Sequence, residues 1–268
     1  MLYQLSQGHI IKAIMTLHRP IITFLVLSTT LWFGQAAAQE NCATATNRSC
    51  IAAEILKSAD EIKEPQWKDV TLRDLAASLT YDKRVDDAIA LVPKISNPDT
   101  QAMTIRTIGM TAALYGKDSP VVLKETFVKL AAAAATIKQP AANAIAYTYI
   151  AMAQAFAGMD ADAWATADAM TNPALKHKAF GETAEIQAER GDLSAAMQSI
   201  GKIDAASFRN KAYQNIAEIL IKKGMYDEAL KSATAIDNPM KRAQTLQEIL
   251  KGQEEKTRGA RNDQADKE

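Results

Sequence analysis

The chain has 268 residues, of which 48% are hydrophobic, enough to bury a sizeable core. Its 31 basic and 31 acidic residues balance, and residues 39–268 contain no basic run, which excludes the clustered Lys and Arg that nucleic acid requires. Aromatics make up 6% and alanine is very frequent, a composition that suits closely packed helices because Ala favours the helix and lets two axes approach.

Residues 1–38 carry Lys12 and Arg19 and no acid. Lys12, His18 and Arg19 form a basic region, Ile21–Phe33 an apolar one, and Gly34-Gln35-Ala36-Ala37-Ala38 a small-residue site, so the segment reads as an export signal cut after Ala38. Met15 is an alternative start. The competing reading retains the segment as a membrane anchor, but a span needs about 20 apolar residues, and Thr23, Ser28, Thr29 and Thr30 dilute this stretch. Export places the chain in the periplasm or outside the cell.

Residues 39–50 form a polar segment bearing both cysteines, Cys42 and Cys50. In an exported chain two neighbouring cysteines read as a structural disulfide. The spacing is not Cys-x-x-Cys, which argues against a redox pair, and His177 is the only histidine beyond residue 38, which argues against a metal site.

Between residues 51 and 250 the sequence repeats. Gly158, Gly191 and Gly224 are spaced by 33, and Lys83 and Cys50 continue the step toward the N-terminus. Fifteen residues after an anchor come Pro65, Pro98, Pro173 and Pro239; five after it come Ala88, Ala163, Ala196 and Ala229; twelve after it come Ile62, Ile95, Met170, Ile203 and Ile236. Gly116 takes the anchor in the remaining unit, but Pro140 follows nine residues late, so the helix 119–137 carries an insertion of roughly two and a half turns. Each unit reads as two helices. In the last, 210–223 has Ala212, Ile216, Ala217, Leu220 and Ile221 at helical spacing, Gly224 is a left-handed cap, and 226–236 is the second helix. Asn97-Pro98, Asn172-Pro173 and Asn238-Pro239 stop one helix and start the next. A period near 33 predicts an all-α solenoid of helical hairpins, about six units long, with no sheet. Residues 251–268 are charged, lack a large apolar residue and read as a disordered tail.

The units resemble tetratricopeptide repeats. Ile216-Ala217 falls where that family has its Leu-Gly pair, Gly224-Met225-Tyr226-Asp227-Glu228-Ala229 is similar to its Gly-x-Tyr-x-x-Ala segment, and Pro239 to its closing proline; Gly191–Ala196 is a second match. The period is 33 rather than 34, and the early aromatic of the first helix is missing. The resemblance implies a right-handed solenoid and protein–protein recognition along the face lined by the first helix of each pair. Carried over by position, the inward-facing residues are Arg106, Thr148, Lys178, Glu185, Lys211, Gln214 and Glu218. Their mixed signs select neither an acidic nor a basic ligand.

The chain has no phosphate loop, Gly-x-Ser-x-Gly elbow or His-Glu-x-x-His helix. Glu182, Glu185 and Glu189 line one helix, but Lys178 and Arg190 beside them read as a solvated ion-paired face. Trp164 and the methionines Met103, Met110, Met152, Met159 and Met170 read as core, and Trp67 as a capping aromatic. The expectation is an exported, non-catalytic adaptor or scaffold that uses no cofactor and binds another envelope protein or peptide. The alternative is a membrane-anchored component of an envelope complex.

Overall fold

The computed structural model describes Cys42, residues 45–116 and residues 118–265. The expected signal, its cleavage site and residues 39–41 lie outside the described residues. Those described form twelve α-helices and one 3-10 turn, with no strand: α1 (Arg48–Glu61), α2 (Pro65–Tyr81), α3 (Val85–Ile89) with the turn Val92–Lys94, α4 (Pro98–Tyr115), α5 (Pro120–Ala135), α6 (Pro140–Phe156), α7 (Asp160–Asp168), α8 (Pro173–Glu189), α9 (Leu193–Gly201), α10 (Ala206–Lys222), α11 (Tyr226–Thr234) and α12 (Pro239–Ala265). The fold is all-α.

Helix starts follow the proline positions. Pro65, Pro98, Pro120, Pro140, Pro173 and Pro239 each open a helix, where the missing N–H has no partner to lose. The side-chain oxygens of Asn97, Asn172 and Asn238 accept from the backbone N–H groups of Thr100, Leu175 and Lys241 at 2.9–3.1 Å, capping α4, α8 and α12.

Helix ends follow the anchors. Gly158, Gly191 and Gly224 have φ of 81°, 88° and 72°, and Lys83 adopts the same left-handed conformation at 62°. The next residue in each case donates back five positions: Arg84 to Leu79, Met159 to Gln154, Asp192 to Gln187 and Met225 to Leu220, at 2.8–2.9 Å. This closure satisfies carbonyls that the helix leaves open and reverses the chain. Two expected anchors differ. Gly116 has φ of −104°, and Cys50 lies inside α1, so neither supplies a left-handed turn.

The even-numbered helices α2 to α12 pack on one another in chain order, and α3, α5, α7, α9 and α11 each pack between consecutive even helices. The recurring small residues Ala88, Ala163, Ala196 and Ala229 are all fully buried. Ile95, Ile203 and Ile236 are buried behind them, whereas Met170 is only partly so. α5 has 16 residues against 9 in each of α7, α9 and α11, which locates the insertion.

A further recurrent device was not read from the sequence. The fourth residue of five even helices donates a side-chain N–H to a carbonyl at the end of the preceding odd helix or in the turn after it: Gln101 to Ile95, Asn143 to Ala134, Lys176 to Asp168, Arg209 to Ile203 and Arg242 to Ile236, at 2.8–3.2 Å. Four different residue types do the same work, so identity hides the repeat while donor chemistry keeps it. Buried side chains bind the same connections. Asp69 accepts from Ser96 N, Ser96 Oγ and Asn97 N at 2.8–2.9 Å, and Asn210 accepts from Asp237 N at 2.8 Å.

The end of the chain corrects the expected disordered tail. α12 continues to Ala265 as a 27-residue helix. Two causes extend it: Glu, Lys, Gln and Arg favour the helix, and α12 is held by Tyr226, whose Oη donates to Gly252 O at 2.8 Å and whose ring lies 5.7 Å from Lys256 Nζ. Only Gly fits at position 252, because a Cβ there would meet Ile221 Cγ2 at 2.6 Å. Residues 266–268 lie outside the described residues.

Two outcomes test this account. Ala196→Phe and Ala229→Phe each destabilise by roughly 1–3 kcal/mol through overpacking, read as a lower urea midpoint. Gly191→Ala, with no atom near the added methyl, loses about 1 kcal/mol from the left-handed backbone alone, while Lys83→Gly gains about 0.5–1 kcal/mol.

Candidate functional site

The odd helices cover one side of the even layer and leave another open to solvent. On α4, α6, α8 and α10 the sixth, tenth, thirteenth and seventeenth residues fall on one stripe by helical geometry. On α4 and α6 the stripe is apolar: Met103, Thr107, Met110 and Leu114, then Ile145, Tyr149, Met152 and Phe156. All are half-buried except Leu114, which is exposed. On α8 it becomes Lys178, Glu182, Glu185 and Glu189, and on α10 Lys211, Asn215, Glu218 and Lys222.

Neighbouring helices bring these stripes into contact. The Arg106 guanidinium on α4 lies 5.6 Å from the centre of the Tyr149 ring on α6. Met152 and Phe156 pack in one cluster with Ile186 of α8. The Asn215 amide on α10 donates to the Glu185 carboxylate on α8. At the far end, Tyr81 and Tyr115 meet edge-on at 4.9 Å, each more than half exposed.

Of the residues assigned to this face by resemblance, Lys178, Glu185 and Lys211 come together across α8 and α10, with Gln214 and Glu218 further along α10. Lys178 pairs with Glu182 at 3.4 Å and Glu218 with Lys222 at 3.2 Å. Arg106 stands apart, on α4. Thr148 is a correction: it is buried, and its hydroxyl donates to Ala144 O at 3.2 Å. The β-carbon of Thr148 points into the packed side of α6, and Tyr149 takes the open position. The methionines expected in the core pack at its edge: Met110 and Met152 are partly buried against core clusters, and Met103 is half-buried on the same stripe. Their spacing along α4 and α6 was the signal, but helical spacing alone does not distinguish a covered face from an open one.

Glu185 is the perturbed group of the face. Burial raises its pKa above the ordinary 4.5; the Asn215 hydrogen bond and Lys211 oppose the rise, and Glu182 and Glu189 add to it.

Other candidate features are structural. Trp164 Nε1 donates to Ser199 Oγ, Ser199 Oγ to Gln187 Oε1, and Gln187 Nε2 to Asp160 Oδ1, at 2.6–2.8 Å. Arg190 closes this chain by donating to Asp160 Oδ2 at 2.7 Å and Ala155 O at 2.5 Å. The chain of bonds joins α6 to α9. His177 packs on Phe208 at 5.6 Å, and Trp67 is exposed in the first turn of α2. Cys42 and Cys50 are joined as a disulfide, Cα atoms 5.6 Å apart. A cleft of about 690 Å³ opens between the start of α6 and the end of α7, lined by Asn143, Tyr147, Thr166, Met170 and Leu175. The polar hydrogens of Tyr147 and Thr166 are engaged with Ala131 O and Gln154 Oε1. No Asp, Glu, His, Cys, Lys or Arg lines it. Among the described residues no cluster of His, Cys, Asp and Glu has the geometry of a metal site, and no helix is long and apolar enough to cross a membrane.

No family model and no curated protein matches the chain. Among solved structures it is similar to Ton1535 from Thermococcus onnurineus NA1, at 20% identity over 67% of this chain and 57% of that one, with a TM-score of 0.37. The chain thus spans less than two thirds of that protein's length.

Glu185 yields a pH test. A folded-state pKa raised above the unfolded value contributes stability that is complete below the unfolded value and is lost as pH rises through the folded one. Glu185→Gln keeps an oxygen for Asn215 and removes the charge. The variant therefore melts above the parent at about pH 7, and the two coincide below about pH 4. A melting-temperature difference that does not vary with pH contradicts the assignment.

Proposed function

We propose that the chain is a right-handed solenoid of about six tetratricopeptide-like hairpins that binds another protein or a peptide on the open face of its even helices. The observation that carries this reading is the face itself. Met103, Met110, Ile145, Tyr149, Met152 and Phe156 form a half-buried apolar strip across two helices, bordered by Glu182, Glu185 and Glu189. Strips of adaptable methionine and amphipathic aromatic side chains with a polar rim are what protein interfaces use. The role we propose on this face is adaptor or scaffold.

The place of action follows from the N-terminal segment and the cysteines. Residues 1–38 are removed on export, and the Cys42–Cys50 disulfide ties down the start of α1 in an oxidising compartment, the periplasm or cell exterior. The partner is another envelope protein or a peptide.

Cross-linking in intact cells, followed by identification of captured chains, tests the reading. Met152→Glu, placed in the apolar strip, and the pair Lys178→Glu and Lys211→Glu each remove partners captured by the parent. A partner set unchanged in all variants overturns the face. Mass spectrometry of the isolated protein finds a chain beginning at Gln39; retention of residues 1–38 replaces the exported form with the anchored one.

A further inference from the structure

We infer that the segment bound at the junction of α6 and α8 is amphipathic and basic, with apolar side chains on the α6 strip and a Lys or Arg against the α8 carboxylates. The inference rests on the reading of the open even-helix face as the binding face, and adds the chemistry of the occupant.

The sign comes from what surrounds the junction. α6 contains no charged residue, so Ile145, Tyr149, Met152 and Phe156 form an apolar floor with no charge of its own. Phe156 and Met152 pack against Ile186, so the floor reaches α8 without a gap. Along that edge Glu182, Glu185 and Glu189 stand at i, i+3 and i+7, one face of one helix. The groups facing them are few. Lys178 is paired with Glu182 on the same helix. Lys211 reaches Glu185 from α10, where Asn215 and Gln214 are uncharged, and Lys222 is held by Glu218. Arg190, next along α8, is bound to Asp160 and Asp192. On α4, Arg106 lies over Tyr149. Glu189 has no ion pair among the described residues, and the half-buried Glu185 has an amide as its hydrogen-bonding neighbour. Among the described residues the row therefore carries more negative charge than Lys178 and Lys211 neutralise.

A cation from a partner meets the need of this edge: it forms charge-assisted hydrogen bonds to Glu185 and Glu189, stronger than those of a neutral donor. An acidic segment on the same floor meets like charge and is disfavoured.

The test uses two labelled synthetic peptides with one apolar pattern, one carrying Lys and the other Glu at the polar positions, titrated into the purified protein by fluorescence anisotropy. The Lys peptide binds about tenfold more tightly or better, and its affinity falls as salt rises. Glu182→Gln with Glu189→Gln erases most of that preference; Glu182→Lys with Glu189→Lys reverses it. Met152→Ser weakens both peptides, with an unchanged melting curve as control. Equal binding of the two peptides, or a preference unmoved by the Gln pair, overturns the basic-segment inference and leaves the binding face standing. No binding of either peptide, or affinity unchanged by Met152→Ser, overturns both.

Discussion

The layers of this molecule meet at a buried position that recurs as alanine. Ala88, Ala163, Ala196 and Ala229 sit at one phase of the repeat, each with no exposed surface, and each lets an odd helix seat between two even ones. Close packing makes any added volume costly there, because interiors hold few voids to absorb it. The spacing of the layers, the burial of Ile95, Ile203 and Ile236 behind them, and the direction in which each even helix leaves its partner all depend on that contact.

The same arrangement determines which surface remains free. An even helix is covered by its even neighbours and by the odd helices, and one stripe is left. On α4 and α6 that stripe is filled by methionine, isoleucine and aromatic side chains; on α8 by glutamates. The lengthened α5 stands between the α4 and α6 units and interrupts the period at the point where the apolar strip lies. Glu185 registers the consequence chemically: the packing that half-buries it raises its pKa, and the Asn215 hydrogen bond and Lys211 do not fully offset this.

Most helix boundaries were legible because they rest on backbone chemistry. A proline starts a helix wherever it falls, and a glycine in the left-handed region ends one. The limits of that legibility are also chemical. Lys83 ends α2 with the same left-handed turn although it carries a side chain, so the turn is imposed by the closing bonds rather than by the residue. Cys50 keeps the period but lies within α1, since no preceding even helix exists for it to terminate. The donors Gln101, Asn143, Lys176, Arg209 and Arg242 escaped notice because the repeat conserves a hydrogen-bond donor, not a residue type.

The sequence by itself determined that this chain is helical, where most of its helices begin and end, and which small residues lie in its contacts, because caps, turns and spacing act over one or two helical turns. Only the tertiary structure decided which faces those contacts leave open. Thr148 and Tyr149 are neighbours in the chain, yet one is buried and the other lines the open strip. Residues 251–265 lack an apolar period, yet α12 extends through them, anchored on Tyr226 by the close approach that Gly252 permits. Both outcomes depend on atoms distant in sequence, and a local pattern carries no information about what will stand opposite it.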